Sequence, residues 1–259
     1  MTVFEPTTRD VLAFCAAAPV ERVFLEDVAH RGLGRFVATA DADGTLSALC
    51  HVGANIVPSG PGCGVFAGSS AHPDVRMLIG ESRAVTELWE SARPQLPSPR
   101  EDRPDQPVFS IREAPAPGET ALRLATLDDV PRLLPACAAA YELELGLDPV
   151  ARDGVAFRWR TAAQIEEGRS WVWLEDGVVR FKAEASAWTG SAVQLQQVWV
   201  DPEVRGRGFG SRGLADLIRL LLRTTPVVTL FVRAENAAAI ALYEAVGMQR
   251  ELEYRSVLF

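Results

Sequence analysis

Residues Gln194 to Arg223 read QLQQVWVDPEVRGRGFGSRGLADLIRLLLR. An apolar strand-like stretch gives way to a Val-Asp-Pro-Glu turn and the sextet Arg205-Gly206-Arg207-Gly208-Phe209-Gly210. A run follows in which Leu214, Leu217, Ile218 and Leu221 recur at helical spacing. The order is strand, glycine-rich loop, helix. Backbone N–H groups in the first turn of a helix have no intrahelical partners and lie at the positive end of its dipole, so glycines at that point let an anion approach closely. The segment is suited to holding a phosphate group.

The surroundings narrow the choice of phosphate ligand. A dinucleotide loop would follow a first strand and be followed about 20 residues later by an acidic ribose partner, and a P-loop would end in Gly-Lys-Ser/Thr. Neither pattern is present. The RxxGxG arrangement, the strand PVVTLFVR at Pro226 to Arg233, then Asn236, Tyr243 and Gly247 in that order resemble the GNAT superfamily of acetyl-CoA-dependent N-acetyltransferases. The resemblance covers roughly residues 120–259. Read locally, Asn236 and Tyr243 stand about two helical turns apart and share a face with Ile240. Asn236 as a helix N-cap and Tyr243 as a core residue are the plain alternatives.

The resemblance implies a site. Acetyl-CoA would be the co-substrate, its pantetheine paired with the backbone of Val198, Trp199 and Val200. The N–H groups of Arg205, Gly206, Arg207, Gly208, Phe209, Gly210 and Ser211 would hold its pyrophosphate, and Asn236 would complete the cofactor site. Tyr243 matches the family's proton donor to the leaving thiolate. A phenol, with an ordinary pKa of about 10 against about 8.5 for a thiol, can serve in that role. Family members often carry a carboxylate base on the strand before the loop, but this chain has Gln194, Gln196 and Gln197 there. Glu184 on the preceding strand is the nearest carboxylate, with Glu142 and Glu144 as others; a water chain ordered by Gln194 and Gln196, or an acceptor that arrives neutral, stays open. By family position, Tyr141 to Arg152 border the acceptor's approach.

Composition bounds the rest. At 259 residues and 48% hydrophobic content, the chain has room for two domains. Its start lacks a basic segment and a long apolar run, so neither a signal peptide nor a membrane span is expected and a cytoplasmic protein is. The net charge of −8 is shared by both halves and speaks against nucleic acid. Cys15, Cys50, Cys63 and Cys137 have no metal-ligand spacing, so reduced packed thiols and no metal are expected. All three histidines fall before residue 73, so a base from the C-terminal half must be another residue type. Lys182 is the single lysine beside 25 arginines.

Proline-rich stretches at 93–107 and 114–120 bracket a short strand at Val108 to Arg112. The expected organisation is an N-terminal domain over 1–114, a linker over 115–120 and a GNAT domain over 121–259. The first domain reads as helices near Thr8 to Ala18 and Glu21 to His30, strands at Arg35 to Ala40 and Leu46 to Val52, a glycine-rich loop, and a helix at Ser82 to Ser91. The loop SGPGCGVFAGSS lacks RxxGxG and reads as a turn. The second domain reads as helices from Leu127 to Leu145 and Ala151 to Glu167, a meander through Trp171 to Glu175, Val178 to Ala187 and Ala192 to Val200, a crossover helix, a parallel strand, a last helix and a closing strand. The expected fold class is α/β (α+β), each domain a mostly antiparallel mixed sheet flanked by helices, with a splayed parallel pair in the second; the resemblance implies tandem GNAT-like domains, of which the first could be a degenerate copy. Such a tandem resembles a bacterial two-domain GNAT group.

The function implied is acetyl transfer from acetyl-CoA to an amine acceptor, a small molecule or a protein amine, by direct attack. A non-catalytic acyl-CoA-binding module and a transferase of longer acyl groups remain as other readings, and the oligomeric state is left open.

Overall fold

The computed structural model describes residues 2–259. Two helices come first, α1 (Thr8–Ala16) and α2 (Pro19–His30), then strands β1 (Arg35–Ala40), β2 (Leu46–Val52) and β3 (Asn55–Ser59), a 3-10 turn at Cys63–Ser69, β4 (Met77–Glu81), α3 (Ser82–Ala92) and β5 (Glu101–Ile111). The second half runs β6 (Arg123–Leu124), α4 (Val130–Leu145), α5 (Pro149–Glu166), β7 (Ser170–Glu175), β8 (Val178–Trp188), β9 (Val193–Val200), α6 (Phe209–Leu221), β10 (Val228–Phe231), α7 (Ala237–Ala245) and β11 (Gln249–Leu258). Local chemistry explains the ends: Thr7 and Asp148 cap α1 and α5, a Thr126–Asp129 capping box starts the turn into α4, and Gly146 in the left-handed region ends α4.

Among the described residues the eleven strands form one sheet in the order β1-β2-β3-β4-β11-β5-β10-β9-β8-β7-β6. In the first half β1, β2 and β3 form an antiparallel meander and β3 pairs in parallel with β4; in the second β7, β8 and β9 do the same and β9 pairs in parallel with β10. A helix follows each parallel partner, so the two halves repeat one plan. The parallel pair in the first half goes beyond the sequence reading.

The halves also exchange their last strands. β5 lies between β10 and β11, while β11 lies between β5 and β4. Phe109 of β5 is buried in the core of the second half, and Val257 of β11 in the core of the first. The 115–120 segment is fastened as well. Asp216 on α6 accepts hydrogen bonds from the N–H groups of Gly118 and Thr120 and from the Thr120 hydroxyl, at 2.7–2.8 Å. A Cβ on Gly118 would lie 2.0 Å from the Arg212 carbonyl oxygen, so only glycine fits there.

Helices cover both faces. α6 and α7 pack over β7–β10 through Leu214, Leu217, Ile218 and Tyr243, whereas α4 and α5 pack on the opposite face through Leu133, Cys137 and Phe157. No helix among the described residues is long and apolar enough to cross a membrane, and no group of three or more His, Cys, Asp or Glu side chains among them is placed to hold a metal ion. All four cysteines are free and buried.

Candidate active site

The parallel pair β9–β10 is hydrogen-bonded only at Val193–Val228 and Gln194–Thr229. Beyond that point β9 continues to Val200 without a partner on its β10 side, which leaves the backbone of Val198, Trp199 and Val200 open along one edge. A bulge sharpens the change. Between the pairs Glu184–Gln196 and Lys182–Trp199, Gln197 and Val198 oppose the single residue Ala183, and Gln197 takes a φ of +52°.

At the end of β9 the chain makes the Arg205–Ser211 loop. Gly206 and Gly208 adopt φ of +72° and +82°, and a Cβ on either would meet no atom within 4 Å, so conformation rather than crowding requires glycine there. Gly210 differs: a Cβ would press on Val200 at 3.1 Å and Leu242 at 3.3 Å. The N–H groups of Gly206, Gly208, Phe209, Gly210 and Ser211 make no hydrogen bond among the described residues, as an anion seat requires. The Phe209 ring turns inward and stacks on Trp173 at 4.7 Å, and the Ser211 hydroxyl donates to the Gly208 carbonyl. Arg205 and Arg207 are exposed beside the loop, Arg205 donating to the Val200 carbonyl at 3.2 Å.

The first half carries a similar loop after β3, the first strand of its own parallel pair, with Gly60 and Gly62 at φ of +90° and +75°. Here the seat is filled from within. The Cys63 N–H donates to the Glu87 carboxylate at 3.0 Å. Desolvation opposes the charge on Glu87, but hydrogen bonds from Arg83 and from the Cys63 and Gly62 N–H groups hold its carboxyl below the usual range. An acidic side chain occupies this loop, consistent with the turn read from its sequence.

A cavity of about 570 Å³ opens where β9 and β10 part, and it is lined by Gln194–Trp199, Asn236, Tyr243, Glu144 and Glu184 among others. Asn236 is the N-cap of α7, its Oδ1 accepting from the Ala239 N–H at 3.1 Å, so the plain reading of this residue holds while its side chain also borders the cavity. Tyr243 is 6% exposed and meets the Phe109 ring edge-on at 5.6 Å. Burial, and then the negative charge of Glu144, push its phenol well above the ordinary tyrosine range. It remains protonated at neutral pH.

Glu184 reaches the cavity but is already paired. Its carboxylate accepts from Lys182 Nζ at 2.5 Å and from the Cys137 thiol at 3.6 Å, and Lys182 is completely buried and also donates to Cys137 at 3.2 Å. Burial disfavours the ammonium, but Glu184 and Cys137 outweigh it and hold the Lys182 pKa above its ordinary value; burial pushes Cys137 up to about 11. Both are therefore protonated at neutral pH. Glu184→Gln would strand this ammonium without its counter-charge, and we expect a loss of about 3–5 kcal/mol of stability. Urea unfolding measures it, and Lys182→Met in the same chain should recover most of the loss. The pair was readable in principle, since positions two apart on a strand share a face.

Glu144, at the end of α4, is held differently. Gln197 donates to its carboxylate at 2.9 Å, and the guanidinium groups of Arg103 and Arg100 donate to the carbonyls of Glu144 and Leu145 at 2.8 and 3.1 Å. Cations at these carbonyls offset the negative end of the helix dipole. Burial raises the Glu144 pKa, the Gln197 hydrogen bond and Arg103 only partly opposing it, and the charge of Glu184 adds to the rise. Of the central-strand glutamines, Gln194 is tied to Ser186, its Nε2 donating to the hydroxyl at 2.8 Å.

Comparison with known proteins agrees with the geometry. Residues 137–248 match the acetyltransferase (GNAT) family, and residues 34–133 match a domain of unknown function, DUF4081. The chain is 26% identical over 254 residues to a mycothiol acetyltransferase of Mycolicibacterium smegmatis, covering 90% of this chain and 72% of the relative. It is 53% identical over 55 residues to the ribosomal protein bS18-alanine N-acetyltransferase of Salmonella typhimurium, a match that covers 20% of this chain and 36% of that enzyme. A tandem GNAT protein from the clavulanic acid biosynthesis pathway shares the fold across 99% of this chain and 98% of its own, with a TM-score of 0.56 at 13% identity.

Proposed function

We propose, from the match of residues 137–248 to the GNAT acetyltransferase family, that the protein transfers an acetyl group from acetyl-CoA to a primary amine by direct attack within a ternary complex. The observation that carries this reading is the conjunction of N–H groups without protein partners at Gly206 and Gly208–Ser211, those of Arg205 and Arg207 being turned instead to the carbonyls of Pro202 and Val204, with a cavity holding a buried, protonated tyrosine and a carboxylate of raised pKa. The fit to acetyl-CoA is good on the residues present: the open edge of Val198–Val200 would meet the pantetheine amides, and the loop would meet the pyrophosphate. Bound there, acetyl-CoA supplies a thioester whose carbonyl carbon accepts the amine. A cytoplasmic location is part of the same reading.

The protein's own groups manage the protons. As the amine nitrogen bonds to the carbonyl carbon and the C–S bond breaks, the nitrogen gives up a proton and the departing sulfur takes one. We assign the donation to Tyr243, whose burial keeps it a phenol, and the acceptance to Glu144 rather than Glu184, because the Glu184 carboxylate already serves Lys182. Raising a carboxylate's pKa strengthens it as a base, provided the pH stays above that value.

The test is the pH profile. The rate kcat/KM should rise with pH through a value above that of an ordinary carboxylate, because Glu144 works only when ionised. Glu144→Gln should abolish that rise and lower the rate at neutral pH about a hundredfold, with acetyl-CoA affinity nearly unchanged. A variant that keeps the wild-type profile removes Glu144 from this role. The named acceptors of the relatives differ, mycothiol in one and a ribosomal-protein alanine in the other, so the acceptor is best argued from this chain's own cavity.

A further inference from the structure

The cavity does not end at Tyr243. It continues across the sheet over the seam where the exchanged strands β5 and β11 meet, and there its walls come from both halves of the chain. Phe24 of α2, Val57 of β3, Ile79 of β4, Phe231 of β10 and Tyr254 of β11 line this lobe, Phe231 and Tyr254 with ring centroids 5.3 Å apart. The Tyr254 hydroxyl is spent on the Glu21 carbonyl at 2.8 Å, so that ring presents carbon. Gln106 lies at the floor, directly across the β5–β11 ladder from Tyr254 and thus on the same face of the sheet.

Gln106 is the anomaly. The residue is 2% exposed, its Oε1 is buried without a partner, and no hydrogen bond among the described residues engages its amide. Arg103, three residues earlier on the same strand and also lining the cavity, has a buried Nε without a partner. A buried polar group left unpaired costs about 1–3 kcal/mol, and most such groups in folded proteins are satisfied. A buried, unpaired amide beside the carbon walls of Phe24, Val57, Ile79, Phe231 and Tyr254, with Arg103, Glu21 and Asn55 also on the lining, is the pattern of a ligand subsite, in which shape and carbon take most of the contact and a few polar groups fix orientation.

We propose that this lobe is the distal acceptor subsite, and that the acceptor is an amine with an apolar body, aromatic or branched, carrying one hydrogen-bonding group such as a hydroxyl or amide at its far end. This rests on the transferase reading for the identity of the reacting amine. It sets the acceptor apart from a polyhydroxylated amine, whose several hydroxyls would lose their water against Phe24, Val57, Ile79 and Phe231. It also assigns a task to the first half: strand exchange brings Gln106 under the site.

Three amines separate the outcomes: tyramine, phenethylamine, which lacks only the far hydroxyl, and glucosamine. Their binding is titrated calorimetrically into the full chain saturated with CoA, and their acetylation is followed by thiol release from acetyl-CoA. Tyramine should bind about tenfold more tightly than phenethylamine, and glucosamine most weakly. Gln106→Leu should make the first two equal while leaving the melting temperature level or raised, since an unpaired amide is replaced by carbon of similar size. Preference for glucosamine, or a tyramine advantage that survives Gln106→Leu, would overturn the subsite. If tyramine binds in a Gln106-dependent way without thiol release, the subsite stands and the transferase reading fails. If another amine is acetylated while tyramine does not bind, the reverse holds.

Discussion

A chain trimmed to residues 115–259 should not give a soluble, cooperatively folded monomer, although it contains the whole stretch that matches the GNAT family. The reason is the exchanged strand. β5 contributes ladder partners to Val228–Phe231 of β10 on one side and to most of β11 on the other, and the Thr229 hydroxyl donates to the Phe109 carbonyl at 2.9 Å. Without β5 the two strands lose their common neighbour, and β11 loses β4 as well. Burial of Phe109 and Ile111 alone is worth about 1.5–3 kcal/mol each, against a typical total stability of about 5–15 kcal/mol. The bared edges of β10 and β11 would then template association between chains. Size-exclusion chromatography with thermal unfolding by circular dichroism reads the outcome, and a monomeric fragment with a sharp melt would show that the exchange is dispensable.

Tyr243→Phe should lower kcat about a hundredfold while changing the acetyl-CoA Kd less than twofold. The substitution is unusually clean. The ring that meets Phe109 is retained, and the hydroxyl it removes has no hydrogen-bond partner among the described residues, so stability should move by less than about 1 kcal/mol. A hydroxyl that acted only in cofactor binding would instead weaken acetyl-CoA binding and leave kcat at saturation nearly unchanged.

The second half was legible because its signals are local. The loop Arg205–Gly210, the stripe on α6, the Asp176-Gly177 turn between β7 and β8 and the cap at Asn236 each declare themselves within a few residues. β3 and β4 escaped because each is only five residues long and is interrupted by Pro58 or Gly80. β5 was read from Val108 when it begins at Glu101, because Pro104 and Pro107 argue against a strand. Pro104 is tolerated at a bulge, where Pro104 and Asp105 together oppose Arg255, and the ladder does not need its missing N–H. The strand exchange left no mark in the pattern, since two central strands look alike whichever half they complete. The same holds for the proposed site: the loop is visible as a motif and Tyr243 through the family resemblance, and the Lys182–Glu184 pair lies two residues apart on one strand, whereas the Gln197–Glu144 contact spans 53 residues of chain.

The central claim is that one loop, Arg205–Ser211, holds acetyl-CoA, and that its counterpart after β3 is closed by Glu87. Calorimetric titration of the full chain with acetyl-CoA tests this without knowledge of the acceptor. The account predicts one site per chain, weakened at least a hundredfold by Gly208→Glu, which places a carboxylate in the cradle, and weakened far less by Gly208→Asn, which accepts the same left-handed backbone. Two sites per chain, or binding unchanged in Gly208→Glu, would contradict it.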